Sequence, residues 1–201
     1  MNILLTGFGH FADVAANPSE RIARHFGSIG FAGHELTCRV LPVSFRRADE
    51  DIRRLLKELK PDVALLTGVA EKATRFRLES LAANEDRARV PEYDGDSPQN
   101  CAVVHAGPES LSSHFDLDSI VTRLAAEGFP VDISTNAGRY VCNHTYYAAL
   151  HEIASTGLAT RCLFLHVPPD ALTFGPDDDA PRTPLAIHVQ VVERILAELH
   201  A

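Results

Sequence analysis

None of the four cysteines, Cys38, Cys101, Cys142 and Cys162, stands in a C-x-x-C pair, so zinc-ribbon and thioredoxin-type motifs are absent. Free thiols in a reducing compartment are expected rather than disulfides. The 10 histidines contain no H-x-x-x-H or H-E-x-x-H pattern. His144 and His151, seven apart on one helix, come nearest to a ligand pair, and no metal is expected. There is no block of Lys and Arg; 19 basic residues face 27 acidic ones, a net charge of -8. That argues against duplex nucleic acid as a partner, because phosphate neutralisation supplies much of its affinity for proteins. No apolar run approaches the ~20 residues that span a bilayer. Met1 to Gly7 offers neither a basic n-region nor an h-region. A soluble, intracellular, cytoplasmic protein without membrane contact is expected. Nothing resembles a linker, a repeat or a low-complexity segment, so one domain over residues 1–201 is expected.

What is present is an ordinary globular composition, 45% hydrophobic and 23% charged, which excludes global disorder. A chain of this length buries roughly 70% of its unfolded surface. Asn2 to Thr6 is an apolar run closed by Gly7 and predicts a buried strand. Asn17-Pro18-Ser19-Glu20 predicts a helix start, with Asn17 as cap, Pro18 in the first turn and Glu20 at the capping-box position. A second strand is expected over His34 to Pro42. A helix follows from Phe45, with Ile52, Leu55, Leu56 and Leu59 on one face and Pro61 as its stop. Asp62 to Thr67 is a third strand, ending at Gly68. The polar region from Ala70 to Gly107 predicts hairpin and loop decoration on the main sheet. Further on come a helix (Leu117 to Glu127), a strand (Val131 to Ser134) and a helix (Cys142 to Ser155, stopped by Gly157). A strand (Cys162 to Val167) and a last helix opened by Thr183-Pro184 complete the chain.

Strands alternating with helices predict a mostly parallel twisted sheet covered on both faces, an α/β fold in three layers. Ligands of such sheets sit beyond the carboxyl ends of the strands. The candidate site walls are therefore Thr6-Gly7-Phe8, Thr67-Gly68, Ser134 to Tyr140, and His166.

Cys142 follows a strand and a small-residue turn, Asn136-Ala137-Gly138, and opens a helix. The positive end of the helix dipole favours a thiolate there. The free N–H groups of the first turn can hold an oxyanion. The alternative is a packed cysteine at a strand-to-helix junction. Cys162, inside Cys-Leu-Phe-Leu, and Cys38, in a strand, are expected to be core residues. Cys101 lies in the loop-rich region. His166 at a strand end is suited to act as a general base toward a thiol, or it is a buried histidine bonded to backbone. The group that would orient its ring could be Glu79, Asp86 or Asp132, and spacing does not choose among them.

Three segments carry a resemblance. They are Leu4-Leu5-Thr6-Gly7-Phe8-Gly9-His10-Phe11 with Asn17-Pro18-Ser19, then Leu78-Glu79-Ser80-Leu81-Ala82-Ala83-Asn84 with Ala88-Arg89-Val90-Pro91. The third is Asn136-Ala137-Gly138-Arg139-Tyr140-Val141-Cys142-Asn143-His144 with Phe164-Leu165-His166-Val167-Pro168. In order and interval the chain resembles the type I pyroglutamyl peptidases, or pyrrolidone-carboxylate peptidases. These are cysteine peptidases that remove an N-terminal pyroglutamyl residue from peptides, built as one α/β/α domain and often assembled as tetramers. The resemblance implies a Cys142-His166-Glu79 triad, no cofactor, pyroglutamyl peptides as substrates and a homo-oligomer. It implies that Phe8 and Phe11 flank the lactam ring, with Asn17, Tyr140 and Val141 nearby, and that Arg89 lies near the active centre. The family typically carries Gly-Gln-Ala-Gly-Gly-Arg before the glutamate, where this chain has Gly68-Val69-Ala70-Glu71-Lys72-Ala73. Between the two phenylalanines, Gly9 and His10 replace an acid and a proline. A cysteine amidohydrolase acting on another capped small amide, and a binding protein on the same fold, are the alternative readings.

Overall fold

The computed structural model describes residues 1–12, 14–174 and 182–199. The chain begins with β1 (Asn2–Phe8), which feeds α1 (Pro18–Ile29). Asn17 caps α1 as its sequence predicts, its Oδ1 accepting from the Ser19 N–H at 3.1 Å. Glu20 does not close a capping box; it pairs with Arg24 one turn on. Next come β2 (Glu35–Leu41), α2 (Phe45–Leu59) and β3 (Val63–Val69). Lys60 ends α2 in the left-handed region at φ 43°, immediately before Pro61.

The stretch expected to be decoration contains a strand of the main sheet. β4 (Phe76–Glu79) lies between the last and the penultimate strands of the chain. Four residues, three of them buried and one of those a carboxylate, are too short a run between polar loops to stand out. The rest of the stretch matches the expectation of small hairpin-like pieces. β5 (Leu81–Ala83) pairs with β8 (Ser110–Ser112), and β6 (Asp86–Arg87) pairs with β7 (Gln99–Cys101). The chain finishes with α3 (Leu117–Ala126), β9 (Val131–Ser134), α4 (Val141–Thr156), β10 (Arg161–Val167) and α5 (Leu185–Glu198).

The six-stranded sheet has the order β2-β1-β3-β10-β4-β9. Its first four strands are parallel; β4 runs against β10, and β9 follows β4. Side-chain alternation divides the core in two. Leu4, Phe8, Ala64, Leu66 and Phe164 face α2 and α4, whereas Ile3, Leu5, Leu65, Leu163 and Leu165 face α1, α3 and α5. The result is the three-layer α/β sandwich expected from the pattern.

Two glycines read as strand ends lie inside strands. β1 continues through Gly7, and only glycine fits there because a Cβ would collide with the Ser19 backbone at the start of α1. Gly68 lies within β3 for a reason that belongs to the site. Cys38 is not a core residue: β2 is an edge strand, and its thiol is half-buried. Burial still pushes it up to about 11, against the charge of Arg39. Cys162 is fully buried, as expected.

Candidate active site

Cys142 is the second residue of α4, and the start of that helix is fixed from several sides. Gly138 turns the chain at φ 82°, and the Arg87 N–H donates to the Arg139 carbonyl at 2.7 Å. Arg139 also pairs with Glu85 at 2.9 Å. Val141 is buried in the core ahead of the thiol. Just after it, Asn143 clamps β5 with both ends of its amide, accepting from the Ala83 N–H and donating to the Ala83 carbonyl, each at 2.9 Å. The first backbone bond at this helix end runs from the His144 N–H to the Tyr140 carbonyl. The N–H groups of Val141, Cys142 and Asn143 therefore precede the helical ladder. Gly68 passes so close beneath that a Cβ would lie 2.8 Å from the Cys142 sulfur. The apolar run ending at Thr67 hid this role.

His166 projects from β10 on the same face as Phe164, toward α4. Glu79 ends β4 on that face, and β4's reversal sets it opposite Phe164, one step deeper in the sheet than the imidazole. His166 Nδ1 donates to Glu79 Oε1 at 2.7 Å. Glu79 is wholly buried, and its Oε2 has no hydrogen-bond partner. The Cys142 thiol lies beside the imidazole in the same cleft. Burial opposes charge on His166, but Cys142 and Glu79 outweigh it and raise the group to about 9.

The other two candidates for orienting His166 go elsewhere. Asp86 bonds His144 Nδ1 at 2.7 Å, and Asp132 pairs with Arg75 at 2.7 Å. His144 is also 3.5 Å from Asp49, so it is held between two carboxylates that tie α4 to α2 and β6. Burial is outweighed here too, and His144 is raised to about 9. His151 stacks on Tyr147 instead of facing His144. No group of residues suited to a metal occurs among the described residues.

Phe8, Phe11, Asn17, Tyr140 and Val141 meet at a small, mostly apolar pocket against Cys142, with Val43 and Val69 completing its wall. Phe8 is also a core residue, 2% exposed. Tyr140 stands between Phe11 and Phe45, with ring centroids 6.0 and 5.4 Å away. Burial and the charge of Glu92 push its hydroxyl up to about 12. The Asn17 amide is engaged at both ends, by Ser19 and by the Gly9 carbonyl at 3.1 Å. Arg89 is exposed at the rim of a wider cleft of about 450 Å³, paired with Glu71 at 3.3 Å.

A thiol at a helix start, an imidazole at a strand end and a buried carboxylate behind it, on an α/β sandwich, define the class of the cysteine peptidases. The family model described as pyroglutamyl peptidase matches residues 1–198, and the chain belongs to that family. A pyrrolidone-carboxylate peptidase 1 of Ralstonia nicotianae is 37% identical over 166 residues, covering 83% of this chain and 77% of the relative. The Pyrococcus furiosus pyrrolidone-carboxylate peptidase is 35% identical over 168 residues, covering 84% and 81%. The crystal structure of a mutant of the P. furiosus pyrrolidone carboxyl peptidase superposes with a TM-score of 0.94 at 30% identity, covering 100% of this chain and 98% of that one. The Thermococcus litoralis pyrrolidone carboxyl peptidase gives 0.91 at 29% identity, covering 98% and 91%.

Proposed function

We propose that this chain hydrolyses the amide bond that follows an N-terminal pyroglutamyl residue and releases pyroglutamate. The observation that carries the reading is the 2.7 Å bond from His166 to buried Glu79, with the Cys142 thiol beside the same ring. In this mechanism His166 takes the thiol proton and Cys142 Sγ bonds to the pyroglutamyl carbonyl carbon. The oxyanion is held by N–H groups at the start of α4. His166 passes its proton to the departing amine as the C–N bond breaks. Water, losing a proton to His166, then cleaves the thioester and restores the thiol. Glu79 holds the imidazole in one tautomer and favours its protonated form.

Pyroglutamate carries no charged α-amine, so an apolar pocket suits it. Phe8, Phe11, Tyr140 and Val141 supply such walls next to the thiol, and Asn17 lines the same pocket. Arg89 lines the wider cleft beside the thiol, which this reading gives to the leaving peptide. Thiol chemistry of this kind uses no metal or organic cofactor. A homotetramer in the cytoplasm belongs to the same reading. It is supported by the family resemblance and, for the compartment, by four cysteines that stay unpaired; light scattering reads the assembly directly.

The test is release of a fluorophore from a pyroglutamyl amide. Turnover by the native chain and its loss in Cys142→Ala are expected. Turnover that survives Cys142→Ala, or none from the folded native chain, overturns the proposal.

A further inference from the structure

The protein is acidic as a whole, at -8, yet its cleft beside Cys142 and His166 is basic. Five cationic side chains line that cleft against one carboxylate, Glu71. Two of the five are already neutralised, Arg89 by Glu71 at 3.3 Å and Arg139 by Glu85 at 2.9 Å. The other three, Lys72, Arg77 and Arg87, are exposed, and their side chains make no ion pair or hydrogen bond among the described residues. They come from three separate elements. Lys72 sits on the turn after β3, Arg77 in mid-β4 opposite His166 in the strand register, and Arg87 on β6. Three like charges around one concavity repel one another and focus a positive potential into it. The start of α4 adds the positive end of its dipole to the same space. The small apolar pocket adjoins this cleft at Phe11, Val69, Tyr140 and Cys142, and none of the three cations lines it.

We propose that this basic cleft is a subsite for a carboxylate on the leaving peptide, so that the substrates taken up best are pyroglutamyl peptides with an acidic leaving group. The inference rests on the peptidase reading and adds a substrate class to it. A carboxylate can reach Lys72, Arg77 and Arg87 either as an Asp or Glu side chain just after the scissile bond or as the free C-terminus of a dipeptide. The field of the three exposed cations speeds encounter with anionic substrates.

The test compares kcat/KM for four substrates: pyroglutamyl-alanine amide, pyroglutamyl-glutamate amide, pyroglutamyl-lysine amide and pyroglutamyl-alanine with a free carboxylate. At about 20 mM salt the glutamate substrate is expected to exceed the lysine substrate by roughly tenfold or more, and the margin to shrink at about 300 mM. The free-carboxylate arm shows whether a terminal carboxylate gains as a side chain does. In the double variant Lys72→Ser, Arg87→Ser the glutamate-to-lysine ratio falls toward one. Because both rates come from one preparation, partial misfolding cancels. Cleavage of the neutral amide with neither anionic substrate favoured overturns the subsite and leaves the peptidase reading standing. Cleavage of none of the four overturns both.

Discussion

Glu79 and His166 meet across the junction where the sheet changes direction, with Nδ1 and Oε1 2.7 Å apart between β4 and β10. Antiparallel pairing sets the C-terminal residue of β4 opposite Phe164 and not beyond the strand end. The carboxylate is thereby sealed under the imidazole while His166 keeps its other edge for the cleft. A buried carboxylate with a single partner depends on that partner for its charge.

Replacement of Glu79 by glutamine should consequently lower kcat by orders of magnitude. Where a triad acid is neutralised in the serine enzymes the loss is roughly 10⁴-fold. The fold should survive, because the amide keeps the shape and removes a buried charge. His166 should also titrate lower in the variant, since one of the two groups that raise it has lost its charge. Steady-state kinetics with NMR titration of the imidazole checks both; near-native kcat would free His166 from this partner.

Cys142 stands out in the sequence as a thiol at a helix start after a small-residue turn, a local pattern that a packed junction cysteine would share. The sequence shows His166 as the end of an apolar run. Glu79 was hidden from spacing, and only family resemblance singled it out. Its strand is four residues long, and the reversal that aims it depends on strand order, which no local pattern encodes. The same limit explains Cys38, whose apolar strand is at the sheet edge. The strand-end rule also chose Ser134 to Tyr140 on the premise of a parallel β9. In fact β9 runs opposite to β10, and the loop returns to the site through its ties to β6. Gly7 and Gly68 looked like terminators because an apolar run stops at each; their lack of a Cβ serves close approaches made by distant elements.

Gly68→Ala follows directly. The added methyl would lie 2.8 Å from the Cys142 sulfur and 3.0 Å from the Phe164 ring, so the thiol must move. A displacement of about 1 Å at reacting atoms costs on the order of 10²-fold in rate. Activity should fall by about that factor, with the secondary structure intact by circular dichroism. Native activity in Gly68→Ala would mean that the sulfur has room the geometry denies it.

Brief alkylation with iodoacetamide at neutral pH should label Cys142 first. Cys101 is exposed and is the chief competitor, its thiol against the Gln99 carbonyl and not against an imidazole. Cys38, raised to about 11, should react slowly, and wholly buried Cys162 last. Mass-spectrometric mapping over a time course gives the order. Cys101 ahead of Cys142 would mean that access outweighs activation.

His144 gives a pH dependence of stability that is separate from catalysis. Its folded value of about 9 stands above the unfolded value of roughly 6.5. Between the two, the folded state holds more protons than the unfolded chain, so stability falls as pH rises. The contribution is complete below about pH 6.5 and is lost through about pH 9. Urea midpoints of the native chain and His144→Gln should differ most at the low end of that window and converge at the high end. His166 has a similarly raised value, but it is present in both proteins and cancels from the difference. A gap that widens with pH would reverse the assigned sign.

The two phenylalanines should separate binding from packing. Phe8 lines the small pocket yet is 2% exposed and faces α2 and α4 with Leu4 and Leu66, so it serves the core as well. Truncation to alanine should remove ~3–5 kcal/mol of stability and also raise KM. Phe11 is only partly buried, and it lines both the pocket and the wider cleft. Phe11→Ala should raise KM for every pyroglutamyl substrate, whatever the leaving group, because the ring occupies the same wall each time. Its melting temperature should change less than that of Phe8→Ala, since a partly buried side chain leaves a smaller cavity than a fully buried one. Loss of a wall that binds substrate and transition state alike raises KM more than it lowers kcat. Thermal melts and kinetics on the same preparations distinguish the cases. An unchanged KM in Phe11→Ala, alongside a lowered melting point, would take Phe11 out of the pocket and make it a packing residue.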